Sequence, residues 1–536
     1  MHRLSLAALF FSFTLPAATA HADAKSADAP AVVIRFKSLD VVVQHIKDIA
    51  KLVDQEGAAE QIEGLIKSKI GKNGLVGVDP ARPFGAYVRF GDTIDQTNAT
   101  LLVPIQDQKT FLGLLENLGV TYVKDKDGVY THTTKKNVSV YFRFDRQYLF
   151  VTSPSPAGVQ PKNLPDPAKA LAMPGDAAIS VLARMEQIPE FAKNKAREQM
   201  AKVFELAKAG NPIESKAMEQ FRQSALANIE SLGDAAIRDA ADIRFDLDAG
   251  GPMKELKVNV SIRPKQDTML AKVIKAAGER RSMLGKLAAK DVAFQMHTHS
   301  ALPDALRDAF GKVIDEVQAN ALVGLQDDVN KKEATAFFDA LRPTVQNADL
   351  DLSAAVVGPT DKHYAFLWAM KLKNGSKLDA TLSRMLDATA KKIPKGKPLP
   401  FRVADRVGDT AIHEFDLGDD PGLGKLAEVA GAKKLLLAIR DDAGFLAIGK
   451  AALPLLKIAV AANESSPSPV AAIDLDLGRM AAFIAQGDDQ KALAARLFPA
   501  NEDNRIRIRI DGGSTLNARL QMRLNVIEFL VKLKPS

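Results

Sequence analysis

Two patterns of apolar and polar positions alternate along the chain. In the first, a short alternating or β-branched run meets a polar turn and then an amphipathic helix. Ala31-Val-Val-Ile-Arg-Phe36 leads into Val42, Ile46, Ile49 and Val53, whose 4, 3, 4 spacing places the apolar side chains on one helical face. The same form recurs at Ala178–Leu182 leading into Ile188 and Phe191, at Val292–Met296 leading into Leu302, Leu306 and Phe310, and at Val470–Leu475 leading into Met480 and Phe483.

Between these lie four copies of a second strand-to-helix form. Leu101–Ile105 passes through Asp107 into Phe111, Leu114, Leu115 and Leu118, with Gly119 beyond; Val258–Ile262 passes through Asp267 into Leu270, Val273, Ile274 and Ala277, with Gly278 beyond. Asp before the helix satisfies free amides at its start, and Gly after the last apolar position suits a left-handed C-terminal cap. Phe366–Leu372 into Leu378, Leu382 and Leu386 is a third copy, and Leu516–Leu524 into Ile527, Leu530 and Val531 a weaker fourth.

Two hairpins also correspond. Val138–Phe144, turning at Asp145-Arg146 into Tyr148–Thr152, matches Lys434–Ile439, turning near Asp441–Gly444 into Phe445–Ile448. Each is followed by Ser-Pro-Ser-Pro, at 153–156 and 466–469, read as linkers because proline stops both strand and helix. The order long unit, linker, short unit therefore occurs twice, which predicts an internal duplication with halves at about 31–290 and 292–536. The expected layout is a signal peptide at 1–22, a flexible tail at 23–30, units at 31–152 and 177–290 joined by a Pro-rich linker at 153–176, then units at 292–462 and 470–536 joined by a linker at 463–469.

Strand faces predict the architecture. Ile506, Ile508 and Ile510 alternate with Arg505, Arg507 and Arg509; Phe245 and Leu247 alternate with Arg244, Asp246 and Asp248; Leu350 and Leu352 sit between Asp349, Asp351 and Ser353. A period of two means one buried face and one wet face, so the expectation is an α+β fold of tandem duplicated units, each an antiparallel sheet with helices packed on one face. Residues 184–238, rich in Ala, Lys, Glu and Gln, are expected as two or three helices broken near Gly210-Asn-Pro212.

Composition narrows the function classes. The 536 residues are 46% apolar and 26% charged, the composition of a folded chain rather than a disordered one. Net charge is +7, too thin over this length to point to nucleic acid. There is no cysteine, which removes disulfides, thiolate metal sites and thiol nucleophiles. At the N-terminus His2 and Arg3 precede an apolar run from Leu4 to Leu15, then Pro16 and two A-x-A sites ending at Ala20 and Ala22. The run is shorter than the roughly 20 residues of a bilayer span, so it reads as a cleaved secretory signal and the mature chain as exported, periplasmic or extracellular, without a membrane segment.

Candidate chemistry is sparse. His297 and His299, two apart on a strand, point to the same side and are weak candidates for sharing a metal ion, although no third ligand lies nearby in sequence; the favoured reading puts them on an exposed face. Acid pairs such as Asp349 with Asp351 and Asp474 with Asp476 are read as solvated strand faces paired to Lys or Arg. Arg505, Arg507 and Arg509 form the densest basic feature and a weak candidate anion site, with neutralisation by Asp474 and Asp476 preferred. No nucleophile elbow, zinc helix or dinucleotide loop appears, so no catalytic residue and no cofactor is assigned.

The plan resembles the broad class of signal-bearing bacterial proteins built of tandem α+β units without a recognised active site; it covers the layout of the chain and carries no functional motif. The lack of catalytic motifs together with the duplication, since repeated units readily build contact surfaces, leads to the expectation of a non-enzymatic binding or scaffold protein of the cell envelope, whose partner is an envelope protein or an apolar ligand. The alternatives are a carrier of an apolar ligand and an exported hydrolase whose site assembles from distant residues such as His297 and His299.

Overall fold

A computed structural model of the chain describes residues 29–52, 76–134, 137–173, 175–208, 215–250, 254–285, 291–325, 327–347, 349–394, 397–418, 424–463, 465–484, 487–499 and 503–532. The signal segment, most of the tail and the Gly210–Pro212 break lie outside the described residues. Helices and antiparallel strands mix throughout, giving an α+β fold that is not closed into a barrel. Among the described residues no helix is long and apolar enough to cross a membrane. The chain divides into two compact units: unit 1 takes the described residues up to Arg197, with Ala236–Thr268 and the chain from Leu520 on, and unit 2 takes Glu198–Ala235 and Met269–Arg519.

Unit 1 contains β1 (Val32–Phe36), β2 (Phe84–Arg89), β3 (Asn98–Pro104), β4 (Val123–Lys124), β5 (Tyr130–Thr133), β6 (Ser139–Asp145), β7 (Tyr148–Ser153), β8 (Ile179–Arg184), β9 (Ala240–Gly250) and β10 (Glu255–Pro264). Antiparallel pairing sets the order β4-β5-β6-β7-β3-β2-β1-β8-β9-β10. The β6–β7 turn has Arg146 and Gln147 at positive φ, the twist that a two-residue hairpin loop favours.

Past a short strand β11 (Arg281–Ser282), unit 2 contains β12 (Val292–Ala301), β13 (Asp349–Thr360), β14 (His363–Lys371), β15 (Phe401–Val407), β16 (Thr410–Asp416), β17 (Lys434–Ile439), β18 (Ala443–Ile448), β19 (Ser466–Pro467), β20 (Ala471–Asp476) and β21 (Arg505–Asp511). The main sheet runs β15-β16-β17-β18-β14-β13-β12-β20-β21, all antiparallel. Strand for strand this is the order β4 to β9 of unit 1. In each, two meanders meet in the middle and a later strand adds beside the first.

Each strand-to-helix form of the sequence is present. Helices Leu39–Leu52, Glu190–Ala207, Asp304–Val323 and Leu477–Ile484 follow β1, β8, β12 and β20; Gln108–Asn117, Met269–Glu279, Gly375–Lys392 and Asn525–Lys532 follow β3, β10, β14 and Leu516–Arg523. Asp107 caps its helix by accepting from the Thr110 amide, and Gly119 beyond it takes a positive φ. Gly278 is different from the expected cap. It lies inside its helix, where a Cβ would stand 2.5 Å from the Gly513 amide nitrogen, so its bare backbone admits the chain at Gly512-Gly513. The segment 184–238 forms helices Glu190–Ala207 and Lys216–Asp239, and in unit 2 Phe221 of the second packs against Phe310 of Asp304–Val323.

At their centres the sheets are buried on both faces. In unit 1 adjacent residues of β7 face opposite ways: Phe150 packs with Val33, Tyr87, Leu102, Val159 and Leu164, and Leu149 with Phe111, Leu114 and Phe142. In unit 2 Leu367 packs with Phe445, Leu456 and Ala459, and its neighbour Phe366 with Ile448 and Met480. The helices expected on one face are present, and at these strands the opposite face is covered as well. The reason stands in the sequence: Tyr148–Val151 and Ala365–Met370 are unbroken apolar runs, whereas the alternating runs belong to β9, β13 and β21.

Residues 153–176, expected as a linker, are folded. Pro156 and Pro161 open short 3-10 helices, Pro167 opens the helix Pro167–Ala170, and Val159, Leu164 and Leu171 cover the sheet. In 463–469, Ser466-Pro467 pairs with Arg281-Ser282. Phe445, 1% exposed beneath the helix Ala452–Ala461, tests the weight of the unit 2 core. Phe445→Ala should lower stability by about 3–5 kcal/mol, measured as a shift in urea unfolding.

Candidate functional site

Arg35 interrupts the apolar run of β1. Alternation puts it on the face of Val33, opposite Gly85 of β2 and Ser180 of β8. A Cβ at Gly85 would come within 2.1 Å of the Ile34 carbonyl oxygen and 2.9 Å of the Leu171 side chain. The missing side chain lets Leu171 close down on the strand. Arg82 and Pro83 lead into β2, and the Tyr148 hydroxyl donates to the Pro83 carbonyl at 3.0 Å, tying the start of β7 to that approach. The opposite wall is the helix at Pro167, capped by Asp166, which accepts from the Ala168 and Lys169 amides. Ala168, Leu171, Ala172 and Met173 complete a pocket of about 610 Å³, a size typical of small-molecule sites.

Arg35 and Arg82 give this pocket two cationic groups beside the Tyr148 phenol. The Nε and Nη1 atoms of Arg35 are buried and have no hydrogen-bond partner. Buried donors in a folded protein are nearly always paired, so Arg35, which lines the cavity, keeps hydrogen-bonding capacity that the protein itself does not use. Arg82 lies over the Tyr148 ring, 4.6 Å from its centroid, and donates to Gln147 Oε1 at 3.0 Å. Burial pushes the Tyr148 phenol up against the opposing pull of Arg82. Nearby, Asp176 is held below the usual carboxylate range by its hydrogen bond to Lys37 and less by the charges of Lys37 and Arg35. None of the lining residues is a carboxylate, a histidine or a serine. The arrangement offers donors and apolar surface to a ligand, and no nucleophile or general base.

His297 and His299 of β12 share a face as expected, opposite Ser353 and Asp351. They are buried, 3% and 4% exposed, instead of solvated. The cause is the segment around β11, which lies over this face: Ser282 Oγ donates to Asp351 Oδ1 at 2.8 Å, the Met283 amide donates to Oδ2 at 3.1 Å, and Leu284 enters the core. Asp351, expected on a wet face, is 1% exposed. Asp349 accepts from Arg280 at 2.9 Å and Lys371 at 2.6 Å and lies 3.1 Å from His299 Nε2. Burial would raise the Asp349 pKa, but Lys371 and His299 together hold it below the usual value. His297 Nδ1 is 4.0 Å from Asp351, and neither ring nitrogen of His297 has a hydrogen-bond partner. Among the described residues no group of three or more His, Asp or Glu could hold a metal ion.

Arg505, Arg507 and Arg509 meet acids. The β20–β21 register sets Arg507 opposite Asp474 and Arg505 opposite Asp476. Arg505 donates to Asp474 at 3.0 Å, Arg507 to Asp503 at 2.8 Å and Arg509 to Asp511 at 2.9 Å. The isoleucines between them are not the core face that alternation suggests: Ile506 and Ile510 are half-buried and Ile508 is 37% exposed. Sequence reading passed over Arg35, whose one signal was a lone charge inside Val32–Phe36.

The chain matches no protein-family model, no curated protein and no solved structure.

Burial holds the His297 imidazole below its ordinary value of 6.5, outweighing the pull of Asp351. The folded protein binds that proton less readily than the unfolded chain, so this contribution leaves stability intact above pH 6.5 and erodes it as pH falls from there toward the lower folded value. Urea midpoints of wild type should therefore drop between about pH 6.5 and 5 more steeply than those of His297→Gln; equal slopes would mean that the imidazole titrates as it does in the unfolded chain.

Proposed function

We propose that the protein is an exported, non-enzymatic binding protein of the bacterial cell envelope, and that the pocket of unit 1 is where it takes a small ligand. The observation that carries this reading is Arg35: a guanidinium with two buried, unpartnered donors beside an open, mainly apolar cavity. Such a group is costly in a purely structural role and suited to a ligand that brings acceptors. The lining, without acid, histidine or serine, supports binding over hydrolysis. His297 and His299, the residues around which a hydrolytic site would have to assemble, lie under the segment near β11, where their side chains serve the packing of unit 2.

Export rests on the sequence pattern of residues 1–22, and the protein would act outside the cytoplasm. The two units derive from one ancestral unit by internal duplication, a reading supported by their matching and non-sequential strand orders. In this view unit 1 keeps an open site, and unit 2 closes the corresponding face with the helix Ala452–Ala461 and the β11 segment.

Mass spectrometry of the protein from its host should find a mature N-terminus at His21 or Asp23; an intact Met1 in the cytoplasmic fraction would overturn export. The neutral dye N-phenyl-1-naphthylamine should bind at one site per chain with enhanced fluorescence. Ala172→Trp, which fills the cavity from its wall, should abolish that site while leaving the thermal midpoint within a few degrees. Dye fluorescence unchanged in the variant would remove the pocket from consideration.

A further inference from the structure

The pocket has two chemically distinct sides. Arg35 and Arg82 supply cationic donors, and Pro83, Leu171, Ala172 and Met173 supply apolar surface. We propose that its ligand is an anionic amphiphile, with an oxyanion headgroup held by Arg35 and an apolar tail against Leu171 and Met173. This rests on the pocket reading above and adds the class of ligand.

Four observations converge on that class. First, Arg35 is fixed on a sheet strand between two neighbours, so its position is set by the β1–β2 and β1–β8 ladders and not by a mobile loop. Second, Arg35 lines the cavity and its Nε and Nη1 have no hydrogen-bond partner in the protein, and a guanidinium is a permanent cation suited to a carboxylate or phosphate. A neutral alcohol brings no charge to meet that cation, and a cationic headgroup would be repelled by it. Third, Arg82 is stacked on Tyr148 and tethered to Gln147, which holds a second positive charge at the same cavity. Asp176, on which the Arg35 charge also acts, pairs with Lys37 at 2.5 Å, and Asp79 accepts from the Ala81 amide. Fourth, the remaining wall is proline, alanine, leucine and methionine, and Met in particular adapts its shape to flexible apolar groups. A small inorganic anion would leave this wall wet, so the tail is part of the recognition.

The test is displacement of N-phenyl-1-naphthylamine from the full mature chain by dodecanoate, dodecyl phosphate, dodecanol and dodecyltrimethylammonium, each below its micelle concentration, with sodium phosphate as the headgroup alone. The expected result is displacement by at least one of the two anionic amphiphiles at concentrations roughly tenfold or more below that of dodecanol, since a hydrogen-bonded charge pair is worth that much discrimination. The trimethylammonium compound should be weakest and sodium phosphate without effect. Preference for dodecanoate or for dodecyl phosphate then tells a fatty-acid type of ligand from a phosphate ester. Arg35→Met should shrink the advantage of dodecanoate and dodecyl phosphate over dodecanol severalfold, leaving the part due to Arg82, and Arg35→Lys should restore part of the difference. Dodecanol matching the anions on wild type would overturn the anionic class while leaving the pocket in place. Failure of the dye itself to bind would overturn both readings. The wild-type series decides the matter even if an Arg35 variant does not fold.

Discussion

Burial of neighbouring residues on opposite faces of the same strand is the constraint from which the rest follows. Where Leu149 and Phe150, or Phe366 and Leu367, are both apolar, the sheet cannot leave either face to water. Each such pair demands covers on two sides, with burial worth about 1.5–3 kcal/mol for each large side chain. On one face the covers are the helices that follow the strands. On the other they come from the chain just after the hairpin, 156–171 after β7 and Ala452–Ala461 after β18.

That second cover is where the units part company. In unit 2 it is a helix of nearly continuous apolar character, joined by the β11 segment that Asp351 clamps through Ser282 and Met283. The polar residues beneath it, His297, His299 and Asp351, become buried partners of that packing. In unit 1 the cover is built from short turns started by Pro156, Pro161 and Pro167, and beside Leu171 it leaves the cavity into which Arg35 opens. Equivalent places in the two strand orders, β1 and β12, thus carry a guanidinium at the cavity in one unit and shielded imidazoles in the other.

Charge follows the same logic. The arginines of β21 stand in a ladder with acids on β20 and beside Asp503 and Asp511, so a dense basic run in sequence becomes a paired surface. Arg35 is a single basic residue in a run of apolar ones, and its strand neighbours are Gly85 and Ser180, neither of which carries a compensating charge. Its charge acts instead on Asp176, which also pairs with Lys37.

The alternation of apolar positions by itself determined the antiparallel α+β character, the eight strand-to-helix steps, the helical stretch after residue 184 and the Asp107 cap, because each depends on residues within one or two turns of each other. It also pointed to the arginines of β21 lying beside Asp474 and Asp476, through opposite charges on two alternating strands, whereas the partner Asp503 of Arg507 came from the structure. The tertiary structure alone decided that β1 lies between β2 and β8, that Val159, Leu164 and Leu171 of the expected linker join the core, and that the face holding His297 and His299 is covered. Those outcomes turn on segments distant in sequence, such as Ser282 against Asp351 or Leu171 against Gly85, and no local pattern records which distant segment will cover a face. The pocket at Arg35 belongs to the same category: a cavity is made by the places where covers fail to meet, and only the assembled chain has such places.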